Sequence, residues 1–153
     1  MSNWKNTLRI EDGELMAEVE VYLFQKRSTV PVLFEGTEEL TPEAEAAVEA
    51  MLQRLPTLNK VIMDSAFEHY KWIVKEFGRI YGNQVPIPVA TDVSTLQPLY
   101  ELQMIYLPCE PEPGRFGLGF NCDWEEEHGL GLQFRNWQIV EIGGDAEAFS
   151  FYD

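Results

Sequence analysis

Phe116-Gly117-Leu118-Gly119-Phe120-Asn121-Cys122-Asp123-Trp124, and then, after Glu125-Glu126-Glu127-His128-Gly129, Leu130-Gly131-Leu132-Gln133-Phe134, is the stretch on which the fold turns. In both runs large apolar residues take every second position. Such alternation marks a strand with one buried face, because successive side chains of an extended chain point to opposite sides. The five residues from Glu125 to Gly129 predict a hairpin that sets Trp124 opposite Leu130 and Phe120 opposite Phe134. Gly117, Gly119 and Gly131 then share the other face, which is left nearly bare. A face of that kind admits close internal packing of a helix, or a ligand groove. Asn136-Trp137 can turn the chain again into Gln138–Ile142, giving a three-stranded meander that stops at Gly143-Gly144. Phe149 and Phe151 are expected to close back onto the core.

Upstream, the same alternation recurs. Thr7–Glu11, the turn signal Asp12-Gly13, and the series Ala17, Val19, Val21 and Leu23 read as a β-hairpin. Val30–Phe34 is a further apolar run, but Pro31 lies inside it, which predicts an edge strand or an irregular extended piece. From Thr41 the period changes. Ala44, Ala47, Val48, Met51, Leu52 and Leu55 recur at three and four, with Thr41 placed to cap and Pro42 at the first helical position. Glu43 and Glu45 suit the positive end of the helix dipole, and Pro56 stops the helix. A second helix is predicted over roughly 58–77, with a wide apolar arc that includes His69, read as a hydrogen-bonded core residue. Residues 85–98 carry three prolines and read as an ordered loop or crossover, and Leu99–Leu107 as a strand. These elements predict an α+β fold: an antiparallel sheet with two central helices packed on one face and a C-terminal β-meander. Residues 1–153 form one domain, with the acidic meander at 99–143.

Composition narrows the function. An apolar fraction of 45% supplies a core for one compact unit, which excludes disordered and fibrous classes. No run approaches the ~18 apolar residues that a bilayer span needs, and the first residues lack the apolar core of an export signal, so a cytoplasmic protein without a membrane role is expected. Cys109 and Cys122 lack metal or redox spacing and are read as reduced. The net charge of −15 repels phosphate backbones, which argues against nucleic acid as a partner. That charge is uneven: residues 101–153 hold 11 acids against 2 bases. A dense negative field accelerates encounter with a cationic protein, so a basic partner is the favoured reading beside simple solubility.

The candidate partner-binding residues are Trp124, Glu125, Glu126, Glu127, His128 and Trp137: an acidic loop together with tryptophans at the two turn regions of the meander, tryptophan being a favoured interface anchor. Cys122 to His128 contains every common metal-ligand type, yet Cys122 and Asp123 point to opposite faces of a strand, so no metal is expected. The hydrolase, metalloprotease, dinucleotide and P-loop signatures are absent, and Gly114-x-x-Gly117-x-Gly119 precedes a strand rather than a helix. No catalytic residue and no cofactor are therefore assigned. The competing reading is an enzyme or small-ligand domain using the glycine-faced groove, with His128 as acid or base.

The run from Cys122 to Phe134, followed by Ile139-Val140-Glu141-Ile142-Gly143, resembles the C-terminal hairpin of small uncharacterised bacterial domains with a C-x-W-D/E-x-E-H-G-L-G-hydrophobic-x-F segment. Those domains are similar to the immunity proteins that accompany bacterial polymorphic toxins. The resemblance covers about residues 116–149. It implies a bacterial cytoplasmic α+β domain, adds weight to binding over catalysis, and brings no catalytic residues with it.

Overall fold

The structure, a computed structural model, describes residues 3–81 and 87–152. Seven strands form one sheet in chain order: β1 (Arg9–Glu11), β2 (Glu14–Leu23), β3 (Lys26–Phe34), β4 (Tyr100–Leu107), β5 (Phe116–Cys122), β6 (Leu130–Arg135) and β7 (Gln138–Gly143). All neighbours are antiparallel except β3 and β4, which run parallel. A parallel pair cannot be closed by a tight turn, and the long crossover is supplied by α1 (Pro42–Arg54) and α2 (Asn59–Tyr81). The α+β architecture expected from the sequence is present.

Local chemistry explains the elements. Thr41 Oγ1 accepts the Ala44 N–H at 3.1 Å, and Pro42 follows at the first helical position. Pro56 ends α1, but only as far as a 3-10 turn, Leu55–Leu58, that leads straight into α2. Asp12-Gly13 and Asn136-Trp137 both take positive φ, the conformation of tight hairpin turns that match the sheet's twist. Of the crossover expected over 85–98, residues 85–86 lie outside the described residues. Its described part contains one helical turn, Val93–Leu96, capped by Asp92.

One face of the sheet is continuous core. Ala17 and Val32, Val32 and Ile105, Ile105 and Leu118, and Leu118 and Leu132 are successive cross-strand partners, and all are fully buried. Trp4 joins them from the N-terminal 3-10 turn, stacking on Phe34 and donating its Nε1–H to Glu49 Oε1 at 2.8 Å.

Two expectations are corrected. Val30–Phe34 is not an edge strand but part of the interior strand β3. The turn Phe24-Gln25 makes Leu23 and Lys26 the first closing pair, so hydrogen-bonded pairs alternate from there and Pro31, opposite Glu18, falls where a backbone N–H would point away from β2. Pro31 therefore costs β2 nothing, and the pairing with β4 begins just beyond it, at Val32. The second correction is the register of the meander. Phe120 pairs with Leu130 and Phe116 with Phe134, so the connection between β5 and β6 runs over 123–129 and Trp124 lies outside the strand.

Candidate functional site

The loop 123–129 divides the expected partner-binding residues by depth. Trp124 is only 3% exposed: it leaves the sheet, turns under it and donates its Nε1–H to His69 Nδ1 on α2 at 2.9 Å. The rings of Tyr70 and Tyr100 meet its indole edge-on at 5.8 and 5.6 Å. Trp124 is thus a core anchor and is removed from the binding set. The bond also fixes His69 as the neutral imidazole with an acceptor at Nδ1, in keeping with burial, which pushes its pKa down to about 4.

Glu125 is turned inward, with its side chain 14% exposed. Its carboxylate accepts the His128 N–H at 3.3 Å and lies 3.3 Å from His128 Nδ1, while its carbonyl accepts the Gly129 N–H at 2.8 Å. Glu125 holds the loop closed. The Glu125 carboxylate also raises the pKa of exposed His128, because it stabilises the imidazolium form. Cys122, buried behind the same turn, has its thiol pushed up to about 12 by desolvation, the opposite of what a nucleophile needs.

Glu126 and Glu127 remain outward. With Asp145, which the chain brings back beside the loop through an Asp145 N–H bond to the His128 carbonyl at 2.6 Å, they border a cleft of about 160 Å³. Its floor is Gly119 and its wall the Tyr106 ring, with Gln103 and Asn121 as neutral polar neighbours; among the described residues no lysine or arginine lines it. Trp137 is elsewhere. It occupies the β6–β7 turn at the far end of the six-residue strand β6, about 20 Å from the acidic loop at ~3.3 Å per residue. There it is half-buried, packed on Phe116 with the Arg54 guanidinium 4.4 Å above its ring. Glu110 and Glu112 lie toward that same far end, in the β4–β5 connection, so the C-terminal acids do not form one continuous field.

The glycine face is filled by the chain itself. A Cβ on Gly117 would overlap the Ala148 carbonyl and one on Gly131 would collide with the Gly144 carbonyl, so the 3-10 turn Asp145–Ala148 lies backbone against backbone on the sheet. Buried Gln133 clamps it, donating to the Glu147 and Ser150 carbonyls at 3.0 and 3.2 Å, and Arg115 holds the tail through the Phe151 carbonyl at 3.1 Å. Phe149 covers Tyr106 at 5.1 Å rather than entering the helix-side core. The groove on which the catalytic reading depended is occupied over Gly117 and Gly131.

Sequence reasoning passed over Tyr106, Asp145 and Glu35. Glu35 follows β3, and burial together with the neighbouring Glu14 carboxylate lifts its pKa to about 7. Tyr106 is raised in turn by burial, then by Asp145 and Glu35. A carboxyl raised in the folded state lowers stability as pH climbs from 4.5 through 7, because over that range the folded chain still holds a proton that the unfolded chain has released. Glu35→Gln is expected to add about 1–2 kcal/mol at pH 8, after allowance for solvent screening of a half-buried group, and almost nothing at pH 4. Urea unfolding at the two pH values checks this; equal gains at both would remove the ionised carboxylate as the cause.

The architecture defines a class: a single mixed sheet with its helices on one face and its own C-terminal turn sealing part of the other. The chain belongs to the family described as Domain of unknown function (DUF6985), whose model matches residues 5–149. Membership therefore covers most of the chain rather than the hairpin alone. No curated protein and no solved structure matches it. No described helix is long and apolar enough to cross a membrane.

Proposed function

We propose that this protein is a non-enzymatic binder of a basic protein, an immunity-type partner that neutralises a cationic toxin or effector in a bacterial cytoplasm. The observation that carries the reading is the convergence of Glu126, Glu127 and Asp145 around a cleft lined by Tyr106 and, among the described residues, by no lysine or arginine. A lysine or arginine side chain of a partner fits such a cleft, its stem against the aromatic ring and its charge among the carboxylates. The net charge of −15 steers the encounter. The resemblance of the 122–134 hairpin to immunity-type domains supports the same reading. The contact residues are Glu126 and Glu127 from the original set, now joined by Asp145 and Tyr106; Trp124, Glu125 and His128 serve the loop's own structure.

Association with the product of a neighbouring toxin gene, measured by surface plasmon resonance at two salt concentrations, tests the proposal. Changing Glu126 and Glu127 to Gln and Asp145 to Asn together is expected to weaken binding by tenfold or more, mainly through slower association at low salt. Binding that is unchanged in this triple variant, with the same dependence on salt, would remove the cleft from the mechanism.

A further inference from the structure

β3 and β4 separate inside the sheet. Among the described residues they pair only where Val32–Phe34 meets Ile105–Leu107, although β3 begins at Lys26 and β4 at Tyr100. Both strands contribute to the fork. Pro31 has no N–H to offer across to β4, and Gln103 is an extra residue in the ladder with β5, a bulge that bends β4 close to the point where the pairing stops. By the alternation that turns Pro31 away from β2, the main-chain N–H groups of Arg27 and Thr29 also face β4. They open onto the fork.

A cleft of about 260 Å³ lies there, walled by Leu23, Phe24, Tyr100 and Leu102, with Lys26 and Ser28 on its β3 side. Leu23 is buried on the helix side of the sheet and pairs directly with Lys26, so Lys26 and, two residues on, Ser28 share that side. Glu101 is the one acid among the described lining residues, and it alternates with buried Tyr100 and Leu102, which sends its carboxylate to the opposite face. Arg27 is engaged by Glu20 at 3.7 Å, whereas Lys26 has no ion-pair partner among the described residues. The Tyr100 hydroxyl is buried and likewise has no hydrogen-bond partner among the described residues, so the wall keeps an unused donor. The Tyr100 ring meets Phe24 edge-on at 5.5 Å. Phe24 is itself held at a φ of 56°, with its N–H on Asn59 Oδ1 at 3.1 Å. Non-glycine residues fixed in that conformation concentrate at ligand clamps.

We infer that the fork between β3 and β4 binds a small aromatic carboxylate, with its charge on Lys26 and the main-chain N–H groups of Arg27 and Thr29 and its ring against Leu23, Phe24 and Leu102. Donors dominate the site: an ammonium, two main-chain N–H groups, the Ser28 hydroxyl and the Gln97 amide call for a ligand that supplies acceptors. Size sets the rest. An engineered cavity of about 150 Å³ holds benzene, so this one admits a ring with a short side arm rather than a length of polypeptide. The net charge of −15 opposes any anion at long range, but in physiological salt that repulsion decays over about 8 Å, whereas Lys26 acts in contact. The fork shares no lining residue with the acidic cleft, so the inference does not depend on a basic partner.

Phenylacetate titrated into the full chain, followed through amide chemical shifts, tests it. Saturable shifts are expected at Arg27, Thr29 and Tyr100–Leu102. Binding should be about tenfold weaker in Lys26→Gln, the loss of one charge-assisted hydrogen bond, and at least tenfold weaker for acetate, which lacks the ring, by roughly the measure of the apolar area left unburied. Lys26 is exposed, so the variant should melt with the parent chain. Benzylamine, which carries the ring with the opposite charge, is not expected to bind. Shifts that never appear, that fall in the loop 123–129 instead, or that are equal for phenylacetate and benzylamine overturn the inference, as does a folded Lys26→Gln protein that binds like the parent. Each of those results leaves the basic-partner reading standing, because that reading is tested at Glu126, Glu127 and Asp145.

Discussion

Gly117→Ala is expected to destabilise the protein by about 2–3 kcal/mol, the scale at which forced overpacking disrupts a well-fitted site. The added methyl would overlap the Ala148 carbonyl, which is backbone and cannot rotate aside. The 3-10 turn Asp145–Ala148 must lift, and with it go the two Gln133 bonds and the burial of Ala148. For a domain of this size the melting temperature should fall by roughly 5–10 °C, and the tail beyond 144 should become the first site of proteolysis. Gly119 is the internal control. It lies on the same face of the same strand, but its added Cβ would meet the edge of the Tyr106 ring at 3.4 Å and the Met104 carbonyl at 3.8 Å, both ordinary contacts. Gly119→Ala should therefore shift stability by less than about 1 kcal/mol. Equal losses in the two variants would mean that the strand, not the covering turn, dictates the glycines.

The second large effect is at Trp124. Truncation to alanine should cost about 3–5 kcal/mol, the usual range for removing a buried aromatic side chain that its surroundings cannot replace. Phenylalanine at the same position separates two contributions. It keeps much of the apolar contact with Tyr70 and Tyr100 but leaves His69 Nδ1 without its donor, for an expected loss of about 1–3 kcal/mol. Chemical denaturation of both variants measures the difference. In folded Trp124→Phe protein, association with a basic partner should be unchanged, because the indole does not reach the surface. A folded variant that has lost binding would return Trp124 to the interface.

Between them these residues show how far local pattern reaches. The alternation in 116–122 and 130–134 named the buried face of β5 and β6 correctly, because a strand's two faces depend only on neighbouring residues. The spacing of Ala44, Val48 and Met51, with Thr41 before them, did the same for α1. Register is less local. Periodicity fixes which side chains share a face but tolerates a slip by an even number of residues, so the hairpin could be slid until Trp124 faced Leu130 without any side chain changing sides. The turn Phe24-Gln25 was silent for another reason: both residues take positive φ without being glycine or asparagine, so no turn signal marks them.

The acidic loop was legible as composition and not as geometry. Glu125, Glu126 and Glu127 are indistinguishable in sequence, yet one closes the loop on His128 while the other two border the cleft. Asp145 and Tyr106, far apart along the chain, complete the cleft only because the C-terminal turn folds back across Gly117 and Gly131.

Composition and short-range spacing determined by themselves that this chain makes an acidic α+β domain with a bare, glycine-lined sheet face, since these properties follow from residue size, charge and the periods of helix and strand. What covers that face, where Trp124 goes and which carboxylates meet were decided by tertiary structure alone. Each depends on a contact between segments distant in sequence, and such contacts are chosen by the packing of the whole core.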